Sequence, residues 1–563
     1  MKVLFTGGSV VNVFTDSVSM ENVVVEDGVI VGVGDYYTAD GDKYDEIIDC
    51  TGKIICPGFI DSHIHIESTM LEPGELAKAL LPCGTTAIIA DPHEIANVCG
   101  ITGIEYMLSA TEGLPLSVYI MASSCVPAVP LDESALTLTA NELKPLYKYD
   151  RVIGLAEMMN YPGVLAGDSD IRQKINDAKD AGGRVNGHAP LVSGEGLDRY
   201  ISFGVEDDHE CNDFGEAREK LSKGMHILIR EGTAAKNLEA LIGLFDYPYS
   251  SRCLLCTDDR SAADIINSGH IDSIIRKAVR LGKSPIIGIR MATIQAAQYY
   301  GLRNLGAIAP GYKADMLVLT DIENLKVEKV YKAGKLVCDG GETKPFEKPQ
   351  IPEVQLKRVK GSVNVNKCTS AIFAMGKCGI QNTHVIEVIP GSLLTNDLQM
   401  DVDYSNGSGI DLDKDILKAA VLERHNGTGH VGLGLIHGLG LKKGALASTV
   451  SHDSHNIIVI GTNEEDMALC VNEIIEMQGG LVVVNDGKVL SKLPLEIGGL
   501  MSSKSAEKVA AENVELREAA KQLGAADGID PFMNTAFLSL SVIPHLKITS
   551  RGLLNVDAQE ILI

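Results

Sequence analysis

Between residues 58 and 305 the chain places eight short apolar runs, each followed by a turn and a helical stretch, at 59–65, 86–91, 117–122, 152–157, 184–188, 204–209, 225–230 and 253–257. No other feature restricts the fold as much. Eight β/α units in about 250 residues are what a closed (β/α)8 TIM barrel requires, and the alternation itself argues for an α/β fold on a parallel sheet. Chemistry in such a barrel sits at the C-terminal ends of the strands. The residues that close the eight runs are therefore the first place to look for function.

The first run, Gly58-Phe59-Ile60-Asp61-Ser62-His63-Ile64-His65, ends in His-x-His. Strand side chains alternate with a period of two, so both imidazoles face the same side and make half of a divalent-metal site. Glu157 closes the fourth run, His188 the fifth and His209 the sixth, and Asp258 follows the eighth. Taken singly, each has a dull explanation: a strand-end histidine is more often a rim residue than a ligand, and a bare His-x-His is a weak motif. Six residues of ligating type in barrel order are hard to attribute to chance, and they predict a metal-dependent hydrolase.

At 563 residues the chain is too long for one core. Its first 57 residues alternate apolar and polar positions, with a hairpin read around Asp27-Gly28, and the same texture returns over 306–345. We expect these two segments to form one small composite β-sandwich domain, with the 58–305 barrel inserted between them. Beyond a linker punctuated by Pro345, Pro349 and Pro352, residues 346–563 read as an extra C-terminal α+β domain, with strands near 385–389 and 457–460 and a long helix near 504–522.

The formal charge of −25 argues against a nucleic-acid backbone as partner, though not against a free base, which is neutral. The 12 cysteines are scattered, as suits a reducing compartment. The one CxxC, Cys253 to Cys256, lies in an apolar run and reads as two small core residues. With no 18-residue apolar run and no signal peptide, a cytoplasmic protein without membrane contact is expected.

The chain resembles the amidohydrolase superfamily, through the Pro57–His65 strand and the closing 306–319 segment, and within it the bacterial adenine deaminases. The narrower likeness rests on His65-Ile66-Glu67-Ser68-Thr69-Met70, on Ala90-Asp91-Pro92-His93-Glu94-Ile95-Ala96-Asn97-Val98, on Ser451-His452-Asp453-Ser454-His455-Asn456 and on Ser541-Val542-Ile543-Pro544-His545-Leu546-Lys547. It covers essentially the whole chain. It implies hydrolysis of adenine, a small-molecule substrate, to hypoxanthine and ammonia by a metal-bound hydroxide, in purine salvage.

The resemblance also implies two divalent ions, manganese or iron with zinc as the alternative. His63 and His65 would hold one with Asp258, and His188 and His209 the other. Glu157 would bridge them where many superfamily members carry a carbamylated lysine. Asp258 would also take the proton of the attacking water. A second acid must protonate the purine ring, and Glu210 and the Asp91-Pro92-His93-Glu94 segment, His93 included, are the candidates. The alternative is that Asp91 and His93 bind an accessory metal or cap the following helix. His452 and His455 would share a face on a helix, or approach the barrel mouth on a loop. A homodimer is expected.

Three rivals are weaker. A cytidine-type zinc deaminase needs Pro-Cys-x-x-Cys, and no cysteine stands three residues after Cys83. Hydantoinase- or dihydroorotase-like hydrolases of cyclic amides usually carry the bridging lysine. A non-catalytic barrel typically loses ligands, and all six are in place here.

Overall fold

All eight runs are strands in a computed structural model that describes residues 1–39, 43–390 and 392–562. They are β1 (Phe59–Ile64), β2 (Thr85–Ala90), β3 (Ser117–Ala122), β4 (Val152–Met158), β5 (Arg184–Gly187), β6 (Asp207–Asp208), β7 (His226–Arg230) and β8 (Cys253–Cys256). Strands β1 to β5 form one parallel ladder in chain order and β6 to β8 another. Short backbone contacts join the ladders at both seams. The Glu206 amide donates to Val185 O at 3.0 Å beside β5 and β6, and the Asp258 amide donates to His63 O at 2.9 Å between β8 and β1. The sheet thus curls round on itself.

Both faces of each barrel strand are covered, which is why their sequences run apolar instead of alternating. Every residue of β2, Thr-Thr-Ala-Ile-Ile-Ala, is buried. Ile60, Ile89, Met121, Ala156, Leu228 and Leu254 belong to one packed cluster, and Cys256 lies with them. The CxxC is therefore core, as its sequence suggests; all 12 cysteines are free.

The barrel is flanked by two small sheets built from both ends of the 1–345 segment. Asn22–Glu26 and Val29–Gly34 pair across a two-residue turn in which Asp27 and Gly28 have φ of 48° and 85°. This is the left-handed geometry that makes Asp-Gly a hairpin signal. Ile54–Pro57, just before β1, lies antiparallel to Met316–Asp321, with Pro57 opposite Met316 and Ile54 opposite Leu319. Phe5, Val25, Ile30, Ile55, Met316 and Tyr331 fill the space between the two sheets.

The C-terminal part carries an eight-stranded sheet with helix Glu464–Met477 on one face, packed through Ala420, Val459, Met467 and Val471. The predicted long helix is Ala506–Gln522. This part is not a loose appendage. Leu76, Leu80, Ile95, Ile104 and Tyr106 of the barrel share one buried cluster with Ile497, Leu500, Met501, Val509 and Leu516. Backbone bonds reinforce the seam: the Ser502 amide donates to Met70 O at 2.9 Å and the Glu72 amide to Ser502 O at 3.0 Å. No helix among the described residues is long and apolar enough to cross a membrane.

Candidate metal centre

The strand-end residues converge. Asp61, His63 and His65 share one face of the β1 segment. Asp61, fully buried, accepts from the Thr257 amide at 3.1 Å and sits 3.1 Å from His270 Nε2, which anchors β1 against the chain that follows β8. The next two positions of alternation, His63 and His65, then reach the mouth of the barrel. Glu157 points into the same space from β4. His188 and His209 each stand one residue past the end of β5 and β6. A Cβ at Gly187 would collide with Asp207 O, so only glycine lets these two strand ends come so close. Asp258 follows β8 with φ of 56°, a left-handed turn that aims its carboxylate back across the mouth.

Donor-to-donor distances tie the set together. His65 Nε2 and His63 Nε2 lie 3.1 and 3.4 Å from Asp258 Oδ1. His209 Nε2 and His188 Nδ1 lie 2.9 and 3.0 Å from Glu157 Oε2, and His65 Nε2 lies 3.5 Å from Glu157 Oε1. Donors bonded to a common ion at about 2.1 Å stand roughly 3.0–3.4 Å apart, so the spacing fits shared ligands. His63 Nε2 is buried and has no hydrogen-bond partner. A buried imidazole nitrogen without a hydrogen-bond partner, facing two carboxylates, fits a ligand to a shared cation. The mixed imidazole and carboxylate donors suit manganese, iron or zinc.

Burial is the largest single influence on each group here, but at Asp258, Glu157 and His209 the partners together outweigh it. Burial works to raise the Asp258 carboxyl, but Arg230, at 2.8 Å, and the imidazoles of His63 and His65 hold it well below the usual carboxylate range. Burial likewise opposes ionisation of Glu157, yet its bonds to His188 and His209 keep it well below that range. The imidazoles answer in kind. Burial would lower His209, while Glu157 carries it up to about 9. At His63 burial prevails, helped by repulsion from the His209 and His65 imidazoles, and the ring is lowered.

The chain matches two family descriptions: residues 54–337 match the amidohydrolase family and residues 392–560 the adenine deaminase C-terminal domain. It is 44% identical over 550 residues to adenine deaminase 2 of Carboxydothermus hydrogenoformans, which covers 97% of this chain and 94% of that protein. The adenine deaminase of Clostridium acetobutylicum is 44% identical over 97% of this chain and 95% of its own length. That of Thermosipho africanus is 44% identical over 99% and 96%. The chain belongs to the adenine deaminase family of amidohydrolases.

Around this family core, the other sequence candidates fall into three places. Glu210 lies 3.4 Å from His209 Nε2 and 3.6 Å from His188 Nδ1, but both of its oxygens are taken by the Arg230 guanidinium. Asp91 caps no helix: the helix His93–Cys99 has no side-chain cap, and Asp91 Oδ2 faces His93 Nδ1 at 3.0 Å instead. His93 Nδ1 is also 3.5 Å from Glu157 Oε1. Burial would lower His93, but Asp91 raises it well above the ordinary imidazole value.

The Ser451–Asn456 segment is a loop, not a helix, and it reaches the barrel mouth. His452 Nδ1 comes within 3.6 Å of Glu94 Oε1, and Asp453 Oδ1 lies 3.9 Å from His93 Nε2.

Two residues were missed by sequence reasoning. Arg230 closes the seventh apolar run and holds both Asp258 and Glu210; its place at a strand end was the available signal, and a search for metal ligands passed over a cation. Asp453 stood between the two histidines that drew attention, although it is the member of that loop facing His93.

Proposed function

We propose that the chain hydrolyses adenine to hypoxanthine and ammonia, as a cytoplasmic step of purine salvage. The observation that carries this reading is identity above 40% to proteins named adenine deaminase along nearly the whole length, C-terminal part included, with all six donors at one barrel mouth. We assign His63, His65 and Asp258 to one divalent ion, His188 and His209 to a second, and Glu157 to the bridge between them. Manganese or iron suits this set, and the domain division follows 1–57 with 306–345, 58–305 and 346–563.

A bound divalent pair supplies Lewis-acid charge and lowers the pKa of a water molecule. The rest belongs to the chain. Arg230 holds Asp258 Oδ2 and thereby turns Oδ1 toward the imidazoles and the site of attack, where this carboxylate would take the proton of the attacking water and hand it to the leaving amine. Addition at C6 of adenine also requires a proton on the ring. His93 fits that role better than Glu210: its buried imidazolium is sustained by Asp91, whereas Glu210 has both oxygens engaged by Arg230. Burial of the centre excludes bulk water and strengthens each of these contacts.

The deciding assay is ammonia release from adenine by manganese-loaded protein. Rapid release is expected. No release with metal demonstrably bound would overturn the substrate and turn attention to cyclic amides.

A pH dependence follows from the protonation of His209. His209 is held protonated up to about 9, and a cation needs the neutral ring. Below that value each binding event must displace a proton, so manganese affinity is expected to climb with pH toward about 9 and then level off. Calorimetric titrations in two buffers of different ionisation enthalpy read the released protons directly. Equal affinity across roughly pH 6.5–8.5 with no proton release would contradict the assignment of His209.

A further inference from the structure

A cavity of about 400 Å³ lies on the flank of the barrel, where the loop after β7 meets the helices Ala262–Ser268 and Ile271–Arg280. Five cationic side chains line it, Lys236, Arg260, Arg276, Lys277 and Arg280, against two carboxylates, Glu231 and Asp264. In a chain of net charge −25 this local excess runs against the average.

Ion pairing does not cancel it. Lys277 is paired with Glu231 at 2.6 Å and Glu239 at 3.1 Å, and Arg276 with Asp272 at 3.0 Å. Asp264 is occupied by the Thr233 hydroxyl at 2.5 Å. Lys236, Arg260 and Arg280 have no ion-pair partner among the described residues.

Arg260 is the informative one, because it is only 5% exposed. One N–H of Nη1 donates to Glu231 O at 2.8 Å and one of Nη2 to Ser273 Oγ at 3.0 Å. Its Nε is buried with no partner at all. A guanidinium taken out of water without a counter-charge is costly, and it is retained where a ligand supplies the missing negative charge.

We propose that this cavity binds a phosphate dianion, gripped from within by Arg260 and from the rim by the exposed Lys236 and Arg280. The planar guanidinium matches phosphate oxygens two at a time, and the lysine adds a movable point charge. Ser273 and Asn267, which also line the cavity, are neutral groups able to complete the shell. Three uncompensated cations favour a dianion over chloride. The phosphate can come as the free ion or as a monoester whose organic part stays outside.

The test is isothermal titration of the metal-loaded full chain with inorganic phosphate and, separately, with adenosine monophosphate, at constant ionic strength against chloride. One saturable site per chain is expected, weakened about tenfold or more in the double variant K236Q/R280Q. These are exposed residues without partners, so fold and adenine turnover should be unchanged. R260Q should weaken binding further; should it fail to fold, the rim variant still decides. Equal affinity for both probes identifies a site that reads the phosphate alone, and tighter binding of the nucleotide identifies the monoester as its source. The proposal is overturned if neither probe saturates, if chloride does the same, or if K236Q/R280Q binds like the parent. The last result would place the anion on the metal ions.

Discussion

Glu157→Gln is expected to lower adenine turnover by about 10³-fold or more and to leave the protein with fewer than two ions per chain. The amide keeps the shape of the side chain but has one oxygen and no charge. It cannot serve two cations, and it leaves His188 Nδ1 and His209 Nε2, now 3.0 and 2.9 Å from a carboxylate oxygen, facing a neutral group. The variant should fold, because Glu157 contributes nothing to the packed layer below it. Metal analysis beside turnover, with circular dichroism as the control for folding, separates loss of the centre from loss of structure. A variant that holds two ions and keeps a tenth of the parent turnover would refute the bridging role.

Truncation after residue 345 is expected to have the second large effect. It strips the cover from Leu76, Leu80, Ile95, Ile104 and Tyr106, all at most 1% exposed in the full chain. At roughly 1.5–3 kcal/mol for each such side chain, the loss approaches 10 kcal/mol. That is about the whole stability of an ordinary domain, roughly 5–15 kcal/mol. The fragment 1–345 should therefore be insoluble or molten, not a smaller working enzyme. Expression of that fragment, followed by a soluble fraction and a thermal melt, measures this. A soluble fragment with a cooperative transition would show that the C-terminal part is an independent attachment.

The barrel strands and the residues that converge at their ends were legible because both depend on local period. Alternation carried His63 and His65 to one face, and the ends of the apolar runs located Glu157, His188 and His209 without any knowledge of tertiary contacts. Pairing across distance left weaker traces. The sixth run, 204–209, keeps only the two-residue strand β6, which pairs with β7 on one side and is tied to β5 by one backbone bond at Glu206 on the other. Arg230 looked like the polar end of a strand, since nothing local says that a guanidinium will reach both Asp258 and Glu210. Likewise Asp453 is some 360 residues from His93, and their meeting depends on how two parts of the chain dock.

The union of Ile54–Pro57 with Met316–Asp321 has a consequence for how the molecule is made. The first strands leave the ribosome long before their partners exist, and they must wait through the synthesis of the entire barrel. At about 5–20 residues per second that interval lasts on the order of tens of seconds. During it Ile54–Pro57 has only Ser9–Asn12 beside it, and the edge that Met316–Asp321 will later pair with stays open. The opening segment is thus the part of the nascent chain most in need of a chaperone, and the barrel must mature before its own foundation is laid.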